Sequence, residues 1–188
     1  MAGYILMISE NRLKEETAVG GSVDPAYILP YMRIAQRKYM EIKLGTKLYI
    51  KLETLISTTD INLPANAAYK TLLDDFIASC LVQWAFYECI PYLRYKVQGG
   101  NIYSKTSETG TAITREEAQD LREEVQNTAE FYQSRLISFL CANNSDYPEY
   151  SQNSGGDEVC PDTNRFYNGM NLETTLPKQS NPFKFNVN

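Results

Sequence analysis

From residue 24 to residue 56 the apolar positions fall at helical spacing. Ile28, Met32, Ala35, Tyr39 and Ile42 alternate steps of four and three, which puts them on one helix face. Asp24-Pro25 marks the start, with Asp as N-cap and Pro at the first helical position, and Pro30 is expected to kink the first turns. Gly45 stands where a left-handed C-terminal cap is expected. A second helix follows from Thr46 and carries Leu48, Leu52, Leu55 and Ile56. Thr58-Thr59-Asp60 through Leu63-Pro64 then reads as a loop.

The next apolar pattern is the longest. From Ala65 to about Tyr95 the sequence predicts one continuous helix, roughly 45 Å at 1.5 Å per residue. Its stripe of Leu72, Leu73, Phe76, Ile77, Cys80, Leu81, Trp84 and Tyr87/Glu88 is wide enough to be covered from several sides. Pro91 should kink or end it. Residues 97 to 113, with Gln98-Gly99-Gly100-Asn101, fit a β-hairpin or a long loop. Thr114-Arg115-Glu116-Glu117 is a capping box. The helix after it carries Ala118, Leu121, Val125, Ala129, Tyr132, Leu136 and Phe139 and ends near Cys141.

Both ends of the chain break the pattern. Residues 1–23 begin apolar and reach Gly20-Gly21-Ser22, so they read as an N-terminal arm able to add as a strand to a partner sheet. In residues 142–188 the branched aliphatic side chains are Val159, Leu172, Leu176 and Val187 alone. Such a segment cannot offset its own ordering, about 1–2 kcal/mol per residue for the backbone, so contacts from outside it must order it. Phe166, Tyr167, Phe183 and Phe185 are the expected docking anchors. The expected fold is all-α, an antiparallel bundle of about four helices over residues 24–141. Residues 97–113 form its insertion, with extended arms at both ends.

Charge changes this picture in one respect. The 18 basic residues against 23 acidic ones leave a net charge of −5, which argues against nucleic-acid binding through bulk charge. The charges are nevertheless segregated. Arg33, Arg37, Lys38, Lys43, Lys47 and Lys51 crowd the first helices, and Glu116, Glu117, Asp120, Glu123 and Glu124 crowd the last. Two solvated faces, or a pairing within one subunit, account for that. A head-to-tail contact between identical subunits, basic face to acidic face, also does, and such a contact closes into a ring.

Candidate chemistry is sparse. The absence of histidine excludes Ser-His-Asp and Cys-His nucleophilic sites and His-ligated zinc. Cys80, Cys89, Cys141 and Cys160 show no C-x-x-C spacing and read as buried, reduced thiols of a cytosolic product. Asp74, Asp75 and Glu88 remain for carboxylate chemistry, with nothing that converges them on a cleft. Asp157-Glu158 and Asp162 do not match the EF-hand pattern, and neither glycine pair is a phosphate loop. No enzyme activity, metal or cofactor is expected. No secretion signal is evident and no apolar stretch is long enough to span a membrane. Many of the 14 tyrosines, Tyr27, Tyr31, Tyr147 and Tyr150 among them, lie outside the core stripes, where tyrosine favours interfaces.

The segment Asp24-Pro25-Ala26-Tyr27-Ile28-Leu29-Pro30-Tyr31-Met32-Arg33-Ile34-Ala35-Gln36 continues to Ile42-Lys43-Leu44-Gly45-Thr46-Lys47-Leu48-Tyr49. It resembles the head–tail connector (adaptor, or head-completion) proteins of tailed bacteriophages, especially of Bacteroides-infecting and crAss-like phages. The likeness rests on a leucine-glycine-x-x-leucine-tyrosine corner between two helices, the long central helix and a last helix before an extended arm. It covers roughly residues 5 to 141. The resemblance implies a virion structural protein without catalytic residues. Identical subunits would form a ring, usually twelve-fold, docked beneath the portal protein and touching tail or further ring proteins. DNA passes through that ring, so contact with packaged DNA is passive. The implied location is the portal and neck region of the virion, after assembly in the host cytoplasm. Arg33, Arg37, Lys38, Lys43 and Lys47 against Glu116, Glu117, Asp120, Glu123 and Glu124 are the candidate subunit contacts. Three rival readings stand beside it: a non-viral adaptor in a multi-subunit complex, a carboxylate-dependent enzyme, and a nucleic-acid binder acting through residues 33–51.

Overall fold

The computed structural model describes residues 4–20, 23–93, 95–98, 101–104, 114–153 and 158–163. Over these the chain is all-α apart from one two-stranded hairpin. The helices are α1 (Glu10–Glu16), α2 (Pro25–Ala35), α3 (Ile42–Leu44), α4 (Thr46–Ser57), α5 (Ala67–Thr71), α6 (Ala78–Leu93), α7 (Arg115–Ala142) and α8 (Pro148–Ser151). Between α6 and α7, strands β1 (Tyr95–Gln98) and β2 (Asn101–Ser104) pair antiparallel with Gln98 opposite Asn101. The expected turn glycines, Gly99 and Gly100, lie outside the described residues.

Helix α6 is the centre. Ala78, Cys80, Leu81, Val82 and every residue from Trp84 to Ile90 are buried. A helix apolar on all sides must be enclosed, and α2 with its continuation and α7 do so. Tyr31 stacks on Tyr92 and Tyr39 on Trp84, so α2 runs antiparallel to α6. Phe139 stacks on Phe76 and the Arg122 guanidinium lies over Tyr87, so α7 is antiparallel as well. By length and composition the continuous helix Pro64–Leu93 is apolar enough to cross a membrane, which corrects the expectation that no such stretch exists. Here its apolar side chains are taken up by the fold. Its one buried carboxylate, Glu88, accepts from Lys38 Nζ (2.8 Å) and Tyr39 OH (2.7 Å).

Two π-helical segments, Gln36–Glu41 and Leu72–Ile77, interrupt the α-geometry. A π-turn takes up an extra residue and rotates the face that follows. The expected stripe therefore holds through Ile28, Met32, Ala35 and Tyr39 and fails at Ile42, which is 41% exposed, while Lys43 and Leu44 are buried. In α7, Ala118, Val125, Ala129 and Leu136 are core as expected. Leu121 is exposed, Tyr132 and Phe139 are half-buried, and Gln133, Ile137 and Leu140 fill the space. Both prolines are accommodated: α2 runs through Pro30, and α6 ends two residues beyond Pro91.

The expected arms are the main correction. Met7, Ile8, Leu13 and Val19 are buried, and α1 packs on α6 and α2. The buried Gln36 amide donates to Ile5 O (3.0 Å) and accepts from Met7 N (3.0 Å), meeting the backbone groups expected to pair with a partner strand. At the other end Tyr147 and Tyr150 are only 2% and 6% exposed, so they serve the core and not an interface. Tyr147 OH donates to Ala68 O (3.0 Å), and Tyr69 OH donates to Glu149 Oε2 (2.8 Å). Over residues 142–153 and 158–163 the chain itself supplies the ordering contacts. Phe166, Tyr167, Phe183 and Phe185 lie outside the described residues.

Burial pushes the Cys89 thiol and the Tyr49 and Tyr150 phenols up to about 12, and it raises the Cys80 thiol and the Tyr69 phenol too. In the unfolded chain thiols titrate near about 8.5 and phenols near about 10. Below those values both states hold the same protons. Above them the unfolded chain loses its protons first, so stability falls as pH rises toward the folded-state values. The melting temperature should hold to about pH 8.5 and fall continuously to about pH 11, as followed by circular dichroism. A flat profile across that window would contradict the burial of these groups.

Candidate functional site

One glycine separates the last carbonyls of α3 from the first amides of α4. Gly45 has φ 75° and ψ 156°, a region essentially restricted to glycine and distinct from the left-handed cap expected. Helix α4 has no side-chain N-cap of its own. A return segment from far along the chain completes it. Thr46 N donates to Val159 O (3.1 Å), Val159 N donates to Thr46 Oγ1 (2.8 Å), and Lys47 N donates to Asn153 Oδ1 (3.1 Å). On the other side of the corner, Asp162 N donates to Ile42 O (2.9 Å). One segment thus satisfies groups at two helix ends that would otherwise be orphaned. The missing side chain makes room for it: a Cβ at residue 45 would stand 2.7 Å from Asn153 Nδ2 and 2.8 Å from Pro161 Cγ.

The same segment takes up part of the basic cluster. Lys43 Nζ lies 2.7 Å from Asp162 Oδ2, and the Lys43 side chain is only 7% exposed. Lys47 Nζ lies 3.5 Å from Glu158 Oε2 and donates to Gln152 O. The expectation that Lys43 meets the acidic helix of a neighbouring subunit is therefore corrected, whereas the Lys47 side chain remains a third exposed. A buried ammonium requires a counter-charge in contact, and this chain provides it. Arg33, Arg37 and Lys38 remain at the surface. Arg33 lies over the Tyr4 ring at 4.7 Å, and Arg37 pairs with Glu41 at 3.0 Å.

The acidic face lies on the first half of α7. Glu116, Asp120, Glu123 and Glu124 are exposed there. Glu117 closes the expected capping box: Thr114 N donates to Glu117 Oε2 (2.7 Å) and Glu117 N donates to Thr114 Oγ1 (3.2 Å). The Thr114 backbone amide, with the Thr114 hydroxyl second, holds the Glu117 carboxyl below its ordinary range.

The other candidates do not converge. Asp74 and Asp75 are exposed, and Glu88 sits about 20 Å further along the same helix at 1.5 Å per residue. Among the described residues no three His, Cys, Asp or Glu side chains are placed to hold a metal ion. Cys80 and Cys89 are buried as expected, whereas Cys141 and Cys160 are exposed, which corrects the expectation for those two.

Gly45→Ala tests the corner. It should cost about 2–4 kcal/mol in a urea melt, combining backbone strain with the displacement of Asn153 and Pro161. A loss below about 0.5 kcal/mol, the ordinary surface range, would mean that the return segment does not seat on the corner.

The model of a family described as "Family of unknown function (DUF6712)" matches residues 43–159, a span that takes in the Gly45 corner and α4 to α8. No curated protein and no solved structure matches the chain significantly. With most of its length matched, including the corner that the return segment caps, the chain belongs to this DUF6712 family of unknown function.

Proposed function

We propose that the chain is a ring-forming structural subunit of the portal–tail neck of a tailed-phage virion. The observation that carries this reading is the corner itself. Leu44, Leu48 and Tyr49 of the leucine-glycine-x-x-leucine-tyrosine pattern are buried, and Gly45 between them holds a glycine-only conformation. The motif on which the resemblance rests is a pivot of this fold.

The subunit contact proposed is narrower than the charge pattern alone suggests. Glu116, Asp120, Glu123 and Glu124 face the exposed Arg33 and Arg37 of the next copy, while Lys38, bound to the buried Glu88, and Lys43 and Lys47 take no part. Exposed aromatic side chains, Tyr27, Tyr92 and Phe131, supply apolar surface for the same purpose. No catalytic residue is required, and DNA touches the ring only in passing.

Mass photometry and negative-stain imaging of the full chain, alone and mixed with the portal protein of the same virion, test the reading. A closed ring is expected in one or both samples. Asp120→Lys with Glu124→Lys should weaken ring closure by at least about tenfold, about 1.4 kcal/mol per contact, and Arg33→Glu with Arg37→Glu in the same chain should restore it. A monomer in both samples would contradict the proposal.

A further inference from the structure

The two exposed thiols, Cys141 and Cys160, line one cleft of about 370 Å³, together with Asn144, Tyr150, Asn153 and Pro161. Cys141 stands in the last turn of α7, and Cys160 stands in the return segment between Val159 and Pro161. The groups between them tie the two sides together. The Tyr150 phenol lies beside the Cys141 thiol, the Asn153 amide donates to Tyr150 O (3.3 Å), and Cys160 Sγ lies 4.0 Å from Asn153 O. Cys80 and Cys89 are buried in the core and closed to any reagent that reaches the cleft.

We propose that Cys141 and Cys160 form a site of covalent modification by small-molecule disulfides, which convert the pair to an intrachain disulfide. The Cys141 thiolate attacks one sulfur of glutathione disulfide and expels one glutathione thiolate. The Cys160 thiolate then attacks Sγ of Cys141 in that mixed disulfide and expels the second. The two protein protons end on the two glutathione thiolates, so the protein is oxidised by two electrons and the reagent reduced by two. The new bond ties the segment that caps the Gly45 corner to the end of α7. Closing the chain from 142 to 159 into a loop removes freedom from the unfolded state and holds the return segment on its corner.

The experiment treats the native full chain with glutathione disulfide and reads intact mass, mapped peptides, accessible thiols and melting temperature. The expected product is lighter by two hydrogen atoms, contains a Cys141–Cys160 peptide and has no accessible thiol left. It should melt about 5–10 °C higher than the reduced chain. Cys141→Ser and Cys160→Ser should each carry one glutathione instead. Wild-type chain with glutathione on both residues, or with links only between chains, would overturn the proposal because the thiols would not meet. A cross-linked chain with an unchanged melting temperature would overturn the locking of the return segment.

Discussion

This fold is organised around a helix that is enclosed on every side between Trp84 and Ile90. Trp84, Phe86, Tyr87, Cys89 and Ile90 are buried around the circumference of α6, so neighbours must close on it from every direction. Burying side chains of this size stabilises by about 1.5–3 kcal/mol each, far more than any surface ion pair in the molecule. That demand accounts for the antiparallel passage of α2 and α7 along α6. It also accounts for the packing of α1, which brings the apolar N-terminal segment in as a third neighbour. The one carboxylate trapped in this setting, Glu88, is held by adjacent residues of a single π-helical segment, Lys38 and Tyr39.

A second constraint acts at the Gly45 corner. Two helices that meet across one residue leave carbonyls and amides without partners, and α4 brings no cap of its own. The return segment meets that need and brings Asp162 and Glu158 to Lys43 and Lys47 at the same place. Backbone satisfaction and charge neutralisation are thus one event. The consequence reaches the surface: Lys43 and Lys47 are engaged within the chain, while Glu116, Asp120, Glu123 and Glu124 of α7 stay exposed.

The local parts of this architecture were legible in the sequence. Asp24-Pro25 and the Thr114–Glu117 capping box mark helix starts because their hydrogen bonds close within three residues. The stripe over Leu72 to Glu88 announced a helix covered on many sides. The errors arose where the deciding partner is distant or the period changes. A constant period places Ile42 in the core because it cannot foresee the π-helical segment before it. Tyr147, Tyr150 and Asp162 were assigned to an arm because their partners, among them Ala68 and Ile42, stand far away in the chain. Low aliphatic content measured what the C-terminal segment contributes to a core and said nothing of the orphaned backbone groups awaiting it. The pairing of Lys43 and Lys47 with Asp162 and Glu158 is invisible in the sequence for the same reason.

The central claim is that the return segment belongs to the fold of the single chain and completes the corner between α3 and α4. Amide hydrogen exchange of the purified full-length chain, held dilute enough to be monomeric, tests it most directly. The amides of Thr46, Lys47, Val159 and Asp162 should be protected together, because each donates at the corner. Immediate exchange at these four while α6 stays protected would show that the corner is open in the monomer and that the return segment is not part of its fold.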